Sequence, residues 1–460
     1  MRKLLLGDEA IALGAIHAGL SGVYAYPGTP STEITEFIQK DPTARGRGVH
    51  SRWCTNEKTA MEAALGMSYA GKRALVCMKH VGMNVCADAF VNSAITGVNG
   101  GLVVLAADDP SMHSSQNEQD SRFYARFAMV PIFEPSDQQE AYDMVSKAFT
   151  LSEELKVPVL MRVVTRLAHS RAAVSLKEAG AENDFHPAED RGWVLLPAIA
   201  RRQYLKLIDK QPRMDEASDW SSFNRCEWSP ADKPLGILAC GIGYNYVKEA
   251  LSSDPALQVN LLKVSQYPLP AEKVRELALR SSGILVVEDG QPVVEAELKG
   301  LLGAGYPVTG RLTGALPRTG ELDPDNVAAA LGVEFLVHFV LLGHQEVQEP
   351  VFLLIHEAEI AAGALVARND GFLIAVVAHR LEDFFFYGLV LNLVAVFVVL
   401  LVHLFRGVAY AEEEQAGSQD DYPENTQQQG HFIDEAQHTE GGAGQEYHQG
   451  DKLAAVVLKD

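Results

Sequence analysis

No Cys-x-x-Cys pair occurs among the five cysteines of this 460-residue chain (Cys54, Cys77, Cys86, Cys226, Cys240), and no zinc- or ferredoxin-type spacing links them. That leaves both a cysteine-based metal or cluster site and a disulfide framework unsupported. Positive charge is scarce as well. Lys and Arg number 39 against 60 Asp and Glu, a net charge of −21, which argues against nucleic acid or an anionic lipid surface as the main partner, because both attract cations. At the start, "MRKLLLGDEAI" offers only three leucines before Asp8 and Glu9. That run is too short for a signal peptide, so a cytoplasmic location with reduced thiols is expected. A dinucleotide fingerprint is missing too: "CGIG" at 240–243 has Tyr246 where a third glycine belongs, and strand-on-helix packing accounts for it better.

What is present is alternation. From residue 8 to about 165, apolar runs of strand length ("GVYAY", "RALVCM", "GLVVLAA", "VPIFEP", "VPVLMRVV") alternate with amphipathic stretches of helix length. This is the pattern of a parallel sheet covered on both faces. A second, smaller alternating block begins at Pro234 with "LGILACG" and ends near Phe335. The expected architecture is therefore α/β, with one domain over 1–180, a linker over 181–233 and a second domain over 234–335. Residues 336–383 carry no assignment. Residues 384–405 are apolar apart from Asn392 and His403 and long enough to span a bilayer, and 406–460 form an acidic tail too polar to fold.

In open parallel sheets ligands bind beyond the carboxyl ends of the strands, so the loops there hold the candidates. In "YPGTPSTE", Pro27, Gly28 and Pro30 shape a turn and Ser31 or Thr32 can cap the next helix, which leaves the Thr29 hydroxyl free for a ligand. Glu57 opens a helix of small and apolar residues; it serves either as charge compensation at a helix N-terminus or as a buried acid that exchanges one proton. Lys79, His80 and Asn84 surround Gly82, where backbone can approach a ligand. Asp108, Asp109 and His113 stand in a long polar loop directly after an apolar strand.

The segments "YPGTPSTEI", "NEKTAMEAALGMSYAGKRALVCMKHVGMNVCAD", "GLVVLAADDPSMHSSQNEQDSRFYARFAMVPIFEPSDQQEA" and "VPVLMRVVTRLAHSR" closely resemble the alpha subunits of the indolepyruvate:ferredoxin oxidoreductases, a branch of the thiamine-diphosphate-dependent 2-oxoacid:ferredoxin oxidoreductases. The likeness runs to about residue 335. It implies a pyrimidine-binding domain followed by a transketolase C-terminal-like domain. Glu57 would hydrogen-bond N1′ of the aminopyrimidine and so promote loss of the thiazolium C2 proton, with Thr29 near the substrate carboxylate and the cofactor. Gly82 and Asn84 would line the cofactor site and Lys79 and His80 the same cleft, while Asp108, Asp109 and His113 are substrate-cleft candidates from their polar loop. The resemblance further implies arylpyruvate substrates, coenzyme A as acyl acceptor, ferredoxin and [4Fe-4S] clusters for the electrons, and a beta subunit.

The chain also departs from that pattern. It has neither the C-P-G-C segment nor the G-D-G…N motif that holds Mg2+ and the diphosphate, and no cysteine clusters. Activity is therefore expected to need a pyrophosphate-domain chain from elsewhere. For the residues after about 340, a shifted or truncated reading frame is favoured over a fusion that tethers the chain to a membrane. The alternative function is a non-catalytic, membrane-tethered binding or assembly protein that keeps the fold.

Overall fold

Strand periodicity explains the centre of the molecule. In the computed structural model, which describes residues 2–188, 191–303 and 305–333 and the short strands Phe339–Leu341, Phe352–Leu354, Leu365–Asn369 and Phe372–Val376, the apolar runs form buried parallel strands. The chain opens with β1 (Arg2–Leu6), α1 (Gly7–His17), β2 (Gly22–Ala25), α2 (Thr32–Lys40), α3 (Pro42–Arg47), β3 (His50–Trp53), α4 (Glu57–Tyr69), β4 (Ala74–Lys79) and α5 (His80–Thr96). It continues through β5 (Leu102–Asp108), α6 (Arg122–Ala128), β6 (Ile132–Phe133), α7 (Gln138–Leu155), β7 (Val159–Val164), α8 (Thr165–His169) and β8 (Arg171–Ser175). Along β4 and β5 successive side chains go to opposite faces. Leu75, Cys77, Val103 and Leu105 meet α1 and α7 on one side, while Val76, Met78, Val104 and Ala106 meet α4 and α5 on the other.

The segment expected to be a linker is built structure: a long helix, α9 (Pro197–Asp219), and an edge strand, β9 (Arg225–Glu227). Pro212 inside the helix and its largely polar composition hid it; Leu207 and Met214 nevertheless bury fully. The second block then supplies β10 (Leu235–Cys240), α10 (Gly243–Ser253), β11 (Val259–Val264), β12 (Gln266–Tyr267), α11 (Ala271–Arg280), β13 (Ile284–Val287), α12 (Val293–Leu302), β14 (Val308–Thr309) and α13 (Pro324–Leu331).

The first sheet has seven strands in the order β12-β6-β7-β5-β4-β2-β3, and the second has five in the order β14-β13-β10-β11-β9. Only the edge strands β12 and β9 run antiparallel. Because β12 lies in the second block of sequence yet pairs with β6, the two blocks share a sheet. Outside these two sheets, β1 and β8 form a separate antiparallel pair.

A buried ionic network binds the two blocks. Arg162 on β7 donates to Asp108 Oδ2 at 2.5 Å, to Glu134 Oε1 and to the Asp289 carbonyl at 2.8 Å. Arg122 on α6 donates to Asp120 Oδ1 at 2.9 Å and stands 2.9 Å from Glu288 Oε2. Burial alone would raise the Asp120 carboxyl, but Arg122 and Arg162 outweigh it and hold its pKa below the ordinary carboxylate range. Asp289 fares differently: burial, then the charge of Glu321, pushes it up to about 7 against the pull of Arg311 and Arg162.

The folded chain thus keeps a proton on Asp289 that the unfolded chain releases near pH 4. Its contribution favours the fold at pH 5 and is lost as the pH rises through about 7. Between pH 5 and 8 this group is expected to remove about 2–3 kcal/mol of stability. Urea unfolding of wild type and Asp289→Asn at both pH values checks this; the Asn variant should lack that part of the slope.

Among the described residues no helix is long and apolar enough to cross a membrane. The expected span at 384–405 and the acidic tail at 406–460 lie outside the described residues, as does most of 336–383.

Candidate functional site

Strands β5, β4, β2 and β3 are consecutive in the first sheet, so the loops at their carboxyl ends converge on one edge. Contacts between the loops are specific. Lys79 Nζ donates to the Ser114 carbonyl at 2.8 Å, and the Ser114 hydroxyl reaches the Thr29 carbonyl at 3.5 Å. The Cys54 N–H donates to the Ala25 carbonyl at 2.8 Å, which joins the loop after β3 to the end of β2.

Glu57 is the first residue of α4. Asn56 caps that helix by accepting the Thr59 N–H at 2.9 Å, so the carboxylate of Glu57 is not needed as a cap. The residue is only 8 % exposed, and its carboxylate has no hydrogen-bond or ion-pair partner among the described residues. It lies against the first turn of α5. A Cβ on Gly82 would stand 2.6 Å from Glu57 Cγ and Oε1, so only glycine leaves that space. Gly82→Ala is accordingly expected to cost about 1–3 kcal/mol by overpacking. Most of that cost should vanish in a Glu57→Ala background, a double-mutant cycle readable by urea unfolding.

The opening loop does more than turn. Ser31 and Thr32 do not cap α2 with their side chains; the Ser31 hydroxyl donates to the Gly28 carbonyl at 2.8 Å, and the Thr32 hydroxyl accepts the Gly28 N–H at 3.0 Å. These bonds fasten the loop to itself. Thr29 is exposed, and its hydroxyl has no partner among the described residues. Asn84 accepts a hydrogen bond from the Tyr124 hydroxyl through Oδ1, which leaves its amide N–H groups toward solvent. His80 is fully buried; its Nε2 lies 3.2 Å from the Asn117 carbonyl, and its Nδ1 has no partner among the described residues.

Three of the expected cleft residues are engaged elsewhere. Asp108 turns into the buried ionic network, taking Arg162 and the Ser121 N–H at 3.0 Å. Asp109 holds its own loop by accepting from the Ser115 hydroxyl at 2.5 Å, the Ser114 N–H at 2.9 Å and the Thr165 hydroxyl at 2.8 Å. Burial would raise its pKa, but these bonds outweigh it and lower it. His113 sits 3.1 Å from Glu321, beyond the second sheet's last strand. Sequence reasoning missed Tyr124 as the partner of Asn84, since nothing in "RFYARFA" marks it. Glu62 is exposed beside Lys58, away from the edge. "CGIG" packs as expected, with Gly243 against the Val287 carbonyl.

The five cysteines are spread over separate elements, and Cys77, Cys86 and Cys240 are buried. Burial pushes the Cys86 thiol up to about 12. These residues do not fit an iron–sulfur cluster, which needs converging thiolates. No acidic cluster at this edge fits Mg2+ among the described residues either.

Comparison with known proteins places this edge in context. Residues 13–203 match the family described as pyruvate flavodoxin/ferredoxin oxidoreductase, thiamine diphosphate-binding. The indolepyruvate oxidoreductase subunit IorA of Methanothermobacter marburgensis is 41% identical over 336 residues, which is 72% of this chain and 54% of that protein. The subunit of the same name from Pyrococcus abyssi is 40% identical over 366 residues, 76% of this chain and 56% of that protein. The chain thus spans about half the length of these relatives. In fold it is similar to the solved 2-oxoglutarate:ferredoxin oxidoreductase from Magnetococcus marinus, with a TM-score of 0.58 at 16% identity over 72% of this chain and 65% of that one. The chain is thus similar over residues 13–203 to the pyruvate flavodoxin/ferredoxin oxidoreductase family, and over about three quarters of its length to the N-terminal portion of indolepyruvate oxidoreductase alpha subunits.

Proposed function

We propose that residues 1–335 supply the pyrimidine-binding half of a thiamine diphosphate site for the ferredoxin-dependent oxidative decarboxylation of arylpyruvates, indolepyruvate-like 2-oxoacids, to aryl-acetyl-CoA and CO2. The observation that carries this reading is Glu57: a nearly buried carboxylate at a helix N-terminus, without a partner among the described residues, against a glycine whose Cβ would meet it at 2.6 Å. A carboxylate so placed is largely withdrawn from water and has an open hydrogen-bonding valence, as a group that holds a proton for a bound ring nitrogen requires. When bound, thiamine diphosphate supplies a nucleophilic carbon for the 2-oxoacid carbonyl and takes up the electrons as CO2 leaves.

The chain's own residues divide the remaining work. Glu57 holds or releases a proton at Oε1 or Oε2 toward the aminopyrimidine N1′. To the Thr29 hydroxyl and the Asn84 amide N–H groups, both on exposed residues, this reading assigns the orientation of cofactor and substrate carboxylate. Lys79, through Ser114, fixes the loop after β5 against the Thr29 loop, and His80 holds that loop at Asn117. Both are therefore read as positioning residues. The diphosphate and its Mg2+, the [4Fe-4S] clusters and the contact with ferredoxin are assigned to a pyrophosphate-domain chain and a beta subunit.

The test is CO2 release from indolepyruvate with thiamine diphosphate, Mg2+, coenzyme A and oxidised ferredoxin. The purified chain alone should show none, and addition of a pyrophosphate-domain partner with its clusters should restore it. Turnover by the chain alone would overturn the reading.

A further inference from the structure

We propose that Asp8, Glu33 and His169 form a binding site for a first-row divalent cation such as Zn2+, a clamp on the loop that carries Thr29. The three residues come from different elements: the start of α1, the first turn of α2 and the last residue of α8. One ligand atom from each lies within 4.8 Å of the others, and His169 Nε2 stands 3.8 Å from Glu33 Oε2. Ligands on a tetrahedral Zn2+ at about 2.1 Å are roughly 3.4 Å apart, so small rotamer changes close the set.

What marks this cluster out is Asp8. It is 0 % exposed, and among the described residues both of its carboxylate oxygens lack a hydrogen-bond partner, as does Glu33 Oε2. Buried carboxylate oxygens are nearly always paired. Asp8 is not a helix cap, because the Leu6 N–H at the start of α1 is taken by Glu9 at 2.9 Å. Nor does any Lys or Arg among the described residues pair with Asp8 or Glu33. Two carboxylates and an imidazole facing one another with no cationic side chain make a donor set that a first-row divalent ion satisfies. Glu33 and His169 are partly open to solvent, which provides an entry path.

The position gives the cation a structural task. Glu33 follows the Thr29 loop by four residues, and His169 ends the helix whose Thr165 holds Asp109. An ion bridging them to the buried Asp8 would tie the loops after β2 and β5 to a rigid base, independently of whether the edge binds thiamine diphosphate.

The experiment uses the untagged full chain, stripped with a chelator and titrated with Co2+ as a spectroscopic probe and Zn2+ by elemental analysis. One equivalent per chain is expected, with ligand-field bands in the visible and a rise in the thermal midpoint. His169→Ala and Glu33→Gln alter half-exposed side chains, so the stripped variants should melt like stripped wild type while binding Co2+ at least about tenfold more weakly. Binding below a tenth of an equivalent, or equal binding by wild type and both variants, would overturn the proposal.

Discussion

Glu57→Gln is expected to lower indolepyruvate turnover by about 10²- to 10⁴-fold in a complex reconstituted with a pyrophosphate-domain partner, the range that a positioned acid–base group contributes. The same change should leave stability within about 0.5 kcal/mol. Both expectations follow from one geometry. The Glu57 carboxylate has no partner among the described residues, so replacing an oxygen by an amide nitrogen breaks no bond in the fold. Gln fills the same space against Gly82, yet it cannot exchange a proton. The measurement is kcat alongside urea unfolding of the same preparations. Unchanged turnover would favour the alternative of a non-catalytic binding or assembly protein.

The second large effect concerns the fold. Arg162→Met should destabilise the chain by about 3–5 kcal/mol, because it leaves Asp108 buried without its cationic partner and takes from Glu134 the nearer of two, Arg122 remaining 4.0 Å away. Met keeps most of the side-chain volume, so the loss reports charge rather than a cavity. The deficit should also depend on pH. Buried acids deprived of a cation have raised pKa values and cost least when protonated, so the gap between wild type and variant should narrow from pH 8 toward pH 5. Denaturant unfolding at several pH values reads both quantities. A gap below 1 kcal/mol at pH 8 would mean that water or other donors replace the guanidinium.

How far the sequence carries differs from element to element. β4 and β5 are legible because a continuous apolar run of strand length, closed by turn residues on both sides, suits a strand buried on both faces and is too short for a helix. Glu57 and Gly82 are legible as separate candidates, one at a helix start and one in a polar segment. Their contact depends on the way α4 and α5 pack, which no local pattern reports. β12 is not legible: two residues at the edge of another block's sheet carry no periodicity. Asp108 reads as part of a polar loop because it follows "VVLAA". Its partner Arg162 is 54 residues further on, inside a run that reads as apolar strand. Charges that pair only after the sheet forms leave no trace in spacing, and the same is true of Asp8, Glu33 and His169.

The central claim is that Glu57 serves a cofactor ring nitrogen. The most direct measurement is the rate at which the C2 proton of thiamine diphosphate exchanges with deuterium in the reconstituted complex, followed by NMR after acid quenching. It needs neither ferredoxin nor turnover. The account predicts exchange much faster than in the free cofactor for wild type, and about 100-fold or more slower for Glu57→Gln. Equal exchange rates in the two complexes would contradict it.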